Sequence, residues 1–304
     1  MKEILKFKNL LFLSIFILLS SCGKTIDRDD DKKYITNAPG PRGLTNVLNY
    51  KGLPFNGESV KYFDDEKTQL EERIDYKDGL KDGLSEEYNK NGQLKESVTY
   101  NEGEVEEEVK YTYYENGQLS LKVTYNKDEK NDGPVESYHE NGQLNIKGTY
   151  KEGELDGPYE SYHENGFSKF KINYKEGELD GPFESYHENG FLKFKSTYKD
   201  GKEDGPYESY NENGQLREKG TYKDGKEDGP FESYHENGQL SIKSTYKDGK
   251  EDGPFESYHE NGQLRSKGTS KDGFIDGQWE EYDENGKLKE KESGMYKDGV
   301  KQDD

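Results

Sequence analysis
The stretch GPFESYHENGQLSIKSTYKDGKED, residues 229–252, decides how this chain folds. Its centre, Asn237-Gly238, separates two short runs in which apolar and polar residues alternate, Phe231 to Tyr234 and Leu240 to Tyr246. A period of two is the pattern of a half-buried strand, and Asn-Gly between two such runs is a strong hairpin signal. Two registers fit. With Asn237-Gly238 as a two-residue type I′ loop, Ser233 faces Ile242, Glu232 faces Lys243 and Phe231 faces Ser244. Phe231, Leu240, Ile242 and Tyr246 then share one face, Glu232 and Lys243 pair on the other, and Tyr234 is a misfit. A three-residue loop with Gly238 as a bulge instead sets Tyr234 opposite Leu240 and Phe231 against Lys243. We favour the first. Lys247-Asp248-Gly249-Lys250-Glu251-Asp252-Gly253 then turns the chain into the next hairpin, whose first strand opens on Pro254, a position proline tolerates.

Outward from this segment the same unit recurs. Asn141-Gly142, Asn165-Gly166, Asn189-Gly190, Asn213-Gly214, Asn237-Gly238, Asn261-Gly262 and Asn285-Gly286 follow a period of 24 residues. Asn91-Gly92 and Asn116-Gly117 continue it upstream with one-residue insertions, and DEKTQL, ending at Leu70, is a worn first copy. About ten 24-residue units result, and a fixed period of this size signals a solenoid in which each unit touches only its neighbours. The predicted fold is all-β, an elongated single-sheet antiparallel β-hairpin meander. At two strands per unit, ten units would advance roughly 95 Å.

Two aromatic columns are expected to hold this sheet. Phe183, Tyr207, Phe231, Phe255 and Trp279 form one, and Tyr162, Tyr186, Tyr210, Tyr234, Tyr258 and Tyr282 the other. Tyrosine suits a single layer because its ring packs while its hydroxyl stays wet. The columns are structural first and a stacking platform for a partner second.

Composition agrees with a thin fold. Of 304 residues only 28% are hydrophobic and 36% are charged, with 35 glycines, so no thick core is available. Alanine, the best helix former, occurs once, at Ala38. Such a balance favours disorder, but 25 evenly spaced tyrosines oppose it. The formal charge of −21 works against nucleic acid and against anionic lipid.

The N-terminus reads as an address. Lys2, Lys6 and Lys8 precede an apolar run from Leu10 to Leu19, the length of a signal-peptide core and too short to span a bilayer. The run ends in Leu19-Ser20-Ser21-Cys22, which resembles the bacterial lipobox, implying a lipid on Cys22, the one cysteine. The domain plan is therefore a lipoprotein signal peptide over 1–21, a flexible tether over 22–45, where charges mix with Pro and Gly, and a repeat array over 46–304. The expected location is a bacterial cell envelope, lipid-anchored at the outer membrane, in the periplasm or on the surface.

Little in the array reads as chemistry. All five histidines, His139, His163, His187, His235 and His259, hold the same repeat position, about 10 Å apart across two strands, too far for neighbours to share a zinc ion. They read as a solvated column. Asp224, Glu227 and Asp228, repeated as Asp248, Glu251 and Asp252, match no calcium loop, and Asp-Gly turn chemistry explains them. No phosphate loop, nucleophile elbow or H-E-x-x-H occurs, and every Ser, Glu, His and Tyr setting recurs from unit to unit, whereas catalysis needs one unique set. No enzyme, metal or cofactor is expected.

The run Y-K-D-G-K-E-D-G-P-F-E-S-Y-H-E-N-G-Q-L resembles the bacterial variant of the MORN repeat, found in proteins labelled YwqK-type antitoxin-like. The resemblance covers about residues 50–300, and Phe274-Ile275-Asp276-Gly277-Gln278-Trp279 is nearest the general family pattern. It implies β-hairpin solenoids used in assembly and binding. The expected function is a non-enzymatic, lipid-anchored scaffold binding a protein or glycan partner. The alternatives are an antitoxin-like immunity protein that neutralises a toxin, and a purely structural envelope protein.

Overall fold
The computed structural model describes residues 24–38, 47–126 and 130–302. The signal segment 1–21 and Cys22 lie outside the described residues. Within these, regular structure is strand throughout except for one 3₁₀ turn, Lys32–Tyr34. Twenty-seven strands form one sheet in hairpin meander and three form a small second sheet. The all-β meander read from the 24-residue period is the fold observed. The chain divides into two compact units, the first Met1–Gln93 with Thr99–Glu104, the second Leu94–Val98 with Val105–Asp304.

The first unit has a small conventional core. Ile26, Leu48 and Phe55 are 0%, 6% and 4% exposed, with Ile35, Tyr50 and Tyr76 packed against them. Strand Lys24–Asp27 runs parallel to Gly57–Tyr62, with Ile26 beside Ser59. Gly57 is required there, because a β-carbon on it would stand 2.0 Å from the Lys24 carbonyl oxygen. Ile35–Ala38 pairs with Val47–Tyr50 in the small sheet. Residues 22–45 were expected to be a flexible tether, yet 24–38 are strand and turn. The reason is Ile26, which completes a buried core with Leu48 and Phe55, both more than twenty residues away, while Ile35 of the same segment packs against it.

The second unit is built of near-identical hairpins. In residues 229–252, Gly229–Tyr234 pairs antiparallel with Leu240–Lys247. Phe231 faces Ser244, Glu232 faces Lys243 and Ser233 faces Ile242, as in the first register; beyond Ser233 a bulge brings Tyr234 opposite Leu240, as in the second. The loop explains the mixture. His235 N–H donates to Gln239 O at 2.8 Å, Gly238 N–H donates to His235 O at 2.8 Å, and Gly238 has φ 83° while Asn237 is not among the positive-φ residues. This is a type I turn closed by a glycine bulge, not the type I′ loop expected at Asn237-Gly238. The type I′ geometry sits at the opposite end, where Asp248 (φ 50°) and Gly249 (φ 84°) link the pair Lys247 and Lys250. Successive hairpins then join, Ile242 facing Ser257 and Lys243 facing Glu256.

Candidate functional site
The candidate site is the repeated surface of the second unit, which has an aromatic face, a charged face and a loop edge. Phe231 shares the first face with Ile242, Ser244 and Tyr246, because cross-strand partners point the same way. The column Phe183, Tyr207, Phe231, Phe255 and Trp279 lies here, with Tyr207 4% and Trp279 9% exposed. Phe255 and Trp279 stack at 5.3 Å between ring centres. Elsewhere the column is laced through aromatics of the returning strands. Phe183 meets Phe194 at 6.0 Å and Tyr198 at 5.6 Å, Tyr207 meets Phe194 at 6.0 Å and Tyr222 at 4.6 Å, and Phe231 meets Tyr246 at 5.5 Å. The sequence reading omitted Phe194, Tyr198 and Tyr222, although 24-residue spacing links Tyr198 to Tyr222 and Phe194 to Phe170.

Small residues lie beneath the rings. Ser196 and Ser244 are 5% and 4% exposed, and a β-carbon on Gly220 would stand 2.7 Å from the Tyr207 ring. Hydroxyls at the margin meet carboxylates: Tyr207 donates to Glu227 at 2.6 Å. Burial pushes Tyr246 up to about 12 and raises the Glu251 carboxyl above its ordinary value.

The opposite face carries the second column, held by polar contacts. Tyr234 and Tyr258 donate to Glu232 and Glu256 at 2.7 and 2.6 Å, and Tyr162, Tyr186, Tyr210 and Tyr282 donate in the same way to Glu160, Glu184, Glu208 and Glu280. The ion pair of Glu232 corrects the sequence reading. Its partner is Lys219 of the preceding hairpin, at 2.9 Å, not its hairpin neighbour Lys243, and Lys195–Glu208 and Lys267–Glu280 repeat this at 2.8 and 2.9 Å. Such pairs tie units together. The hydrogen bond from Lys219, joined by that from Tyr234, holds the Glu232 carboxyl below the usual carboxylate range. Tyr186 is pushed up to about 12 by burial and its bond to Glu184.

The loop edge carries two ladders. Each histidine was expected to be solvated, but each is half-buried, with Nε2 at hydrogen-bond distance from the tyrosine carbonyl of the next unit: His235 to Tyr258 at 2.9 Å, and likewise His139, His163, His187 and His259 to Tyr162, Tyr186, Tyr210 and Tyr282. A carbonyl only accepts, so Nε2 carries the proton. Asn237 Nδ2 donates to Glu260 O at 2.7 Å, and Asn141, Asn165, Asn189 and Asn261 do the same one unit on. The unit with Asn211 in place of histidine departs from this, since Asn213 Nδ2 turns back to Gln215 Oε1 at 2.8 Å. Among the described residues no group of three His, Cys, Asp or Glu is placed to hold a metal ion.

Nine segments of the chain, residues 81–102, 103–127, 131–152, 155–176, 179–200, 203–224, 227–248, 251–272 and 275–294, match the MORN repeat variant. The chain belongs to this MORN repeat family. Each matched MORN unit in the regular array runs from the end of one type I′ turn through the Asn-Gly loop to the next. No curated protein matches the chain in sequence. Among solved structures it is similar to the complex titled TcdB2-TccC3-Cdc42 (12% identity, 70% of this chain and 13% of that one, TM-score 0.25). It is also similar to TcdB2-TccC3 (12%, 76% and 17%, 0.27) and to the Photorhabdus luminescens Tc holotoxin pore with the TccC3 mutation D651A (13%, 86% and 18%, 0.20). The chain thus spans less than a fifth of each.

Proposed function
We propose that this MORN repeat protein is a non-enzymatic binding scaffold, anchored in a bacterial cell envelope by a lipid on Cys22, that presents its repeated surface to a protein or glycan partner. The sameness of the units supports this reading. Lys219–Glu232–Tyr234 recurs as Lys195–Glu208–Tyr210 and Lys267–Glu280–Tyr282 with the same bonds, so no set of groups is singled out for a reaction. An array of like sites gains avidity with length. Deleting two and then four central units from the full chain should weaken partner binding stepwise. Complete loss at the first deletion would contradict the array. The anchor has its own test: Cys22→Ala should move the protein from the membrane fraction to the soluble one.

A second reading rests on the YwqK-type run quoted above. An immunity protein of that kind would neutralise an exported or incoming toxin, a target consistent with the lipobox-like run Leu19-Ser20-Ser21-Cys22. Co-purification from the envelope that yields no toxin-like partner would remove this reading and leave the scaffold.

A further inference from the structure
At the loop position after the glycine, MORN units carry Gln143, Gln215, Gln239 and Gln263, but two adjacent units carry Phe167 and Phe191. These rings are 52% and 53% exposed. Each lies against the glycine of the next loop: a β-carbon on Gly190 would stand 3.1 Å from Phe167 Cδ1, and one on Gly214 3.4 Å from Phe191 Cδ1. Glutamine occupies the same place elsewhere, with Gln143 Oε1 2.9 Å from the corresponding point at Gly166 and Gln239 Oε1 2.7 Å from that at Gly262. The fold is thus satisfied by glutamine here. The phenylalanines add apolar surface and leave it half open.

We propose that this edge binds a neutral, extended glycan, with Phe167 and Phe191 as its stacking platforms. The inference rests on the scaffold reading and names an edge and a ligand class for it. A pyranose ring has an apolar face of C–H groups bounded by hydroxyls, which matches a seated aromatic ring bounded by polar side chains. Glu164 and Glu188, three positions before each phenylalanine in the chain, are exposed and can accept from hydroxyls, and exposed Lys169 and Lys193, two positions after, can donate. The platforms recur every two strands, on the order of 10 Å, which is comparable to one disaccharide of an extended β-linked chain.

Area argues against a protein occupant. Two half-exposed phenylalanines offer about 200 Å², well below the roughly 800 Å² per partner of a stable protein interface. Charge argues against an acidic polymer, since the chain carries −21.

The test is calorimetric titration of the full chain with cellohexaose, with chitohexaose and with an oligogalacturonate of equal length. At least one neutral hexaose should bind saturably and at least tenfold more tightly than the uronate. The double variant Phe167→Gln, Phe191→Gln installs the residue of the sister units, so its circular dichroism should stay unchanged while the affinity falls at least tenfold. Binding of neither neutral hexaose overturns the proposal. Equal affinity in the double variant also overturns it, as does a variant whose only effect is lost self-association in sedimentation. An unmutated chain that binds a protein partner in a stepwise, length-dependent way but binds neither neutral hexaose sinks this site and leaves the scaffold standing.

Discussion

The two units of this protein solve the same problem in different ways. The first buries Ile26, Leu48 and Phe55 in one cluster, assembled from strands distant in sequence and including one parallel pair. Among the described residues the second has no such centre. It repeats a ring over a small residue, a lysine on the next glutamate, and a histidine on the next carbonyl, each worth little alone. Removing one group should therefore be severe in the first unit and mild in the second, while a change that touches every repeat at once should reverse that order.

Alkali supplies such a change and the largest expected effect. Tyr138, Tyr162, Tyr186, Tyr198, Tyr246 and Tyr258, all in the second unit, are raised from an ordinary 10.0 to about 12, chiefly by burial except at Tyr258, where the bond to Glu256 leads. The folded chain then holds these protons more firmly than the unfolded one. Their contribution is complete below pH 10 and falls away as pH rises towards 12. Trp279, the one tryptophan, lies in this unit and should change its emission over the same range as tyrosinate absorbance grows. Tyrosinate absorbance complete near pH 10 would contradict this.

Single substitutions follow in order. Phe55→Ala, at a position 4% exposed, should destabilise the first unit by about 3–5 kcal/mol. Hydrogen exchange should show Gly57–Tyr62 and Leu70–Lys77 losing protection while Trp279 emission stays the same. Gly220→Ala forces a methyl to 2.7 Å from the Tyr207 ring and should cost about 1–3 kcal/mol in urea unfolding followed at the second unit. His235→Ala removes one rung and should cost about 1 kcal/mol. Asn211→His, which supplies a rung where the sequence lacks it, should raise stability by no more than about that amount. A drop on Asn211→His would show that the loop at 211–215 is set against the ladder.

Much of the second unit was legible because its instructions are local and repeated. Period-two alternation and Asn-Gly placed the hairpins, and nine segments agree with the family. The turn type was misassigned because Asn-Gly fits both a type I′ loop and a type I turn closed by a glycine bulge, and the backbone bonds His235 N–H to Gln239 O and Gly238 N–H to His235 O show which applies. The histidine position was plain, but its purpose was not, since the accepting carbonyl lies 23 residues away. Phe167 and Phe191 passed unremarked because exposure is a property of the assembled edge.

Amino-acid order alone dictated strand, turn position and period, since the preference of Asn-Gly and Asp-Gly for turns and the alternation of side chains are settled within a few residues. Packing of distant segments chose the rest: that Ile26 closes a core instead of lying in a tether, that Glu232 pairs backward with Lys219, and that small residues sit beneath rings. Those outcomes depend on which side chains meet across strands, and neighbours in space are not neighbours along the chain.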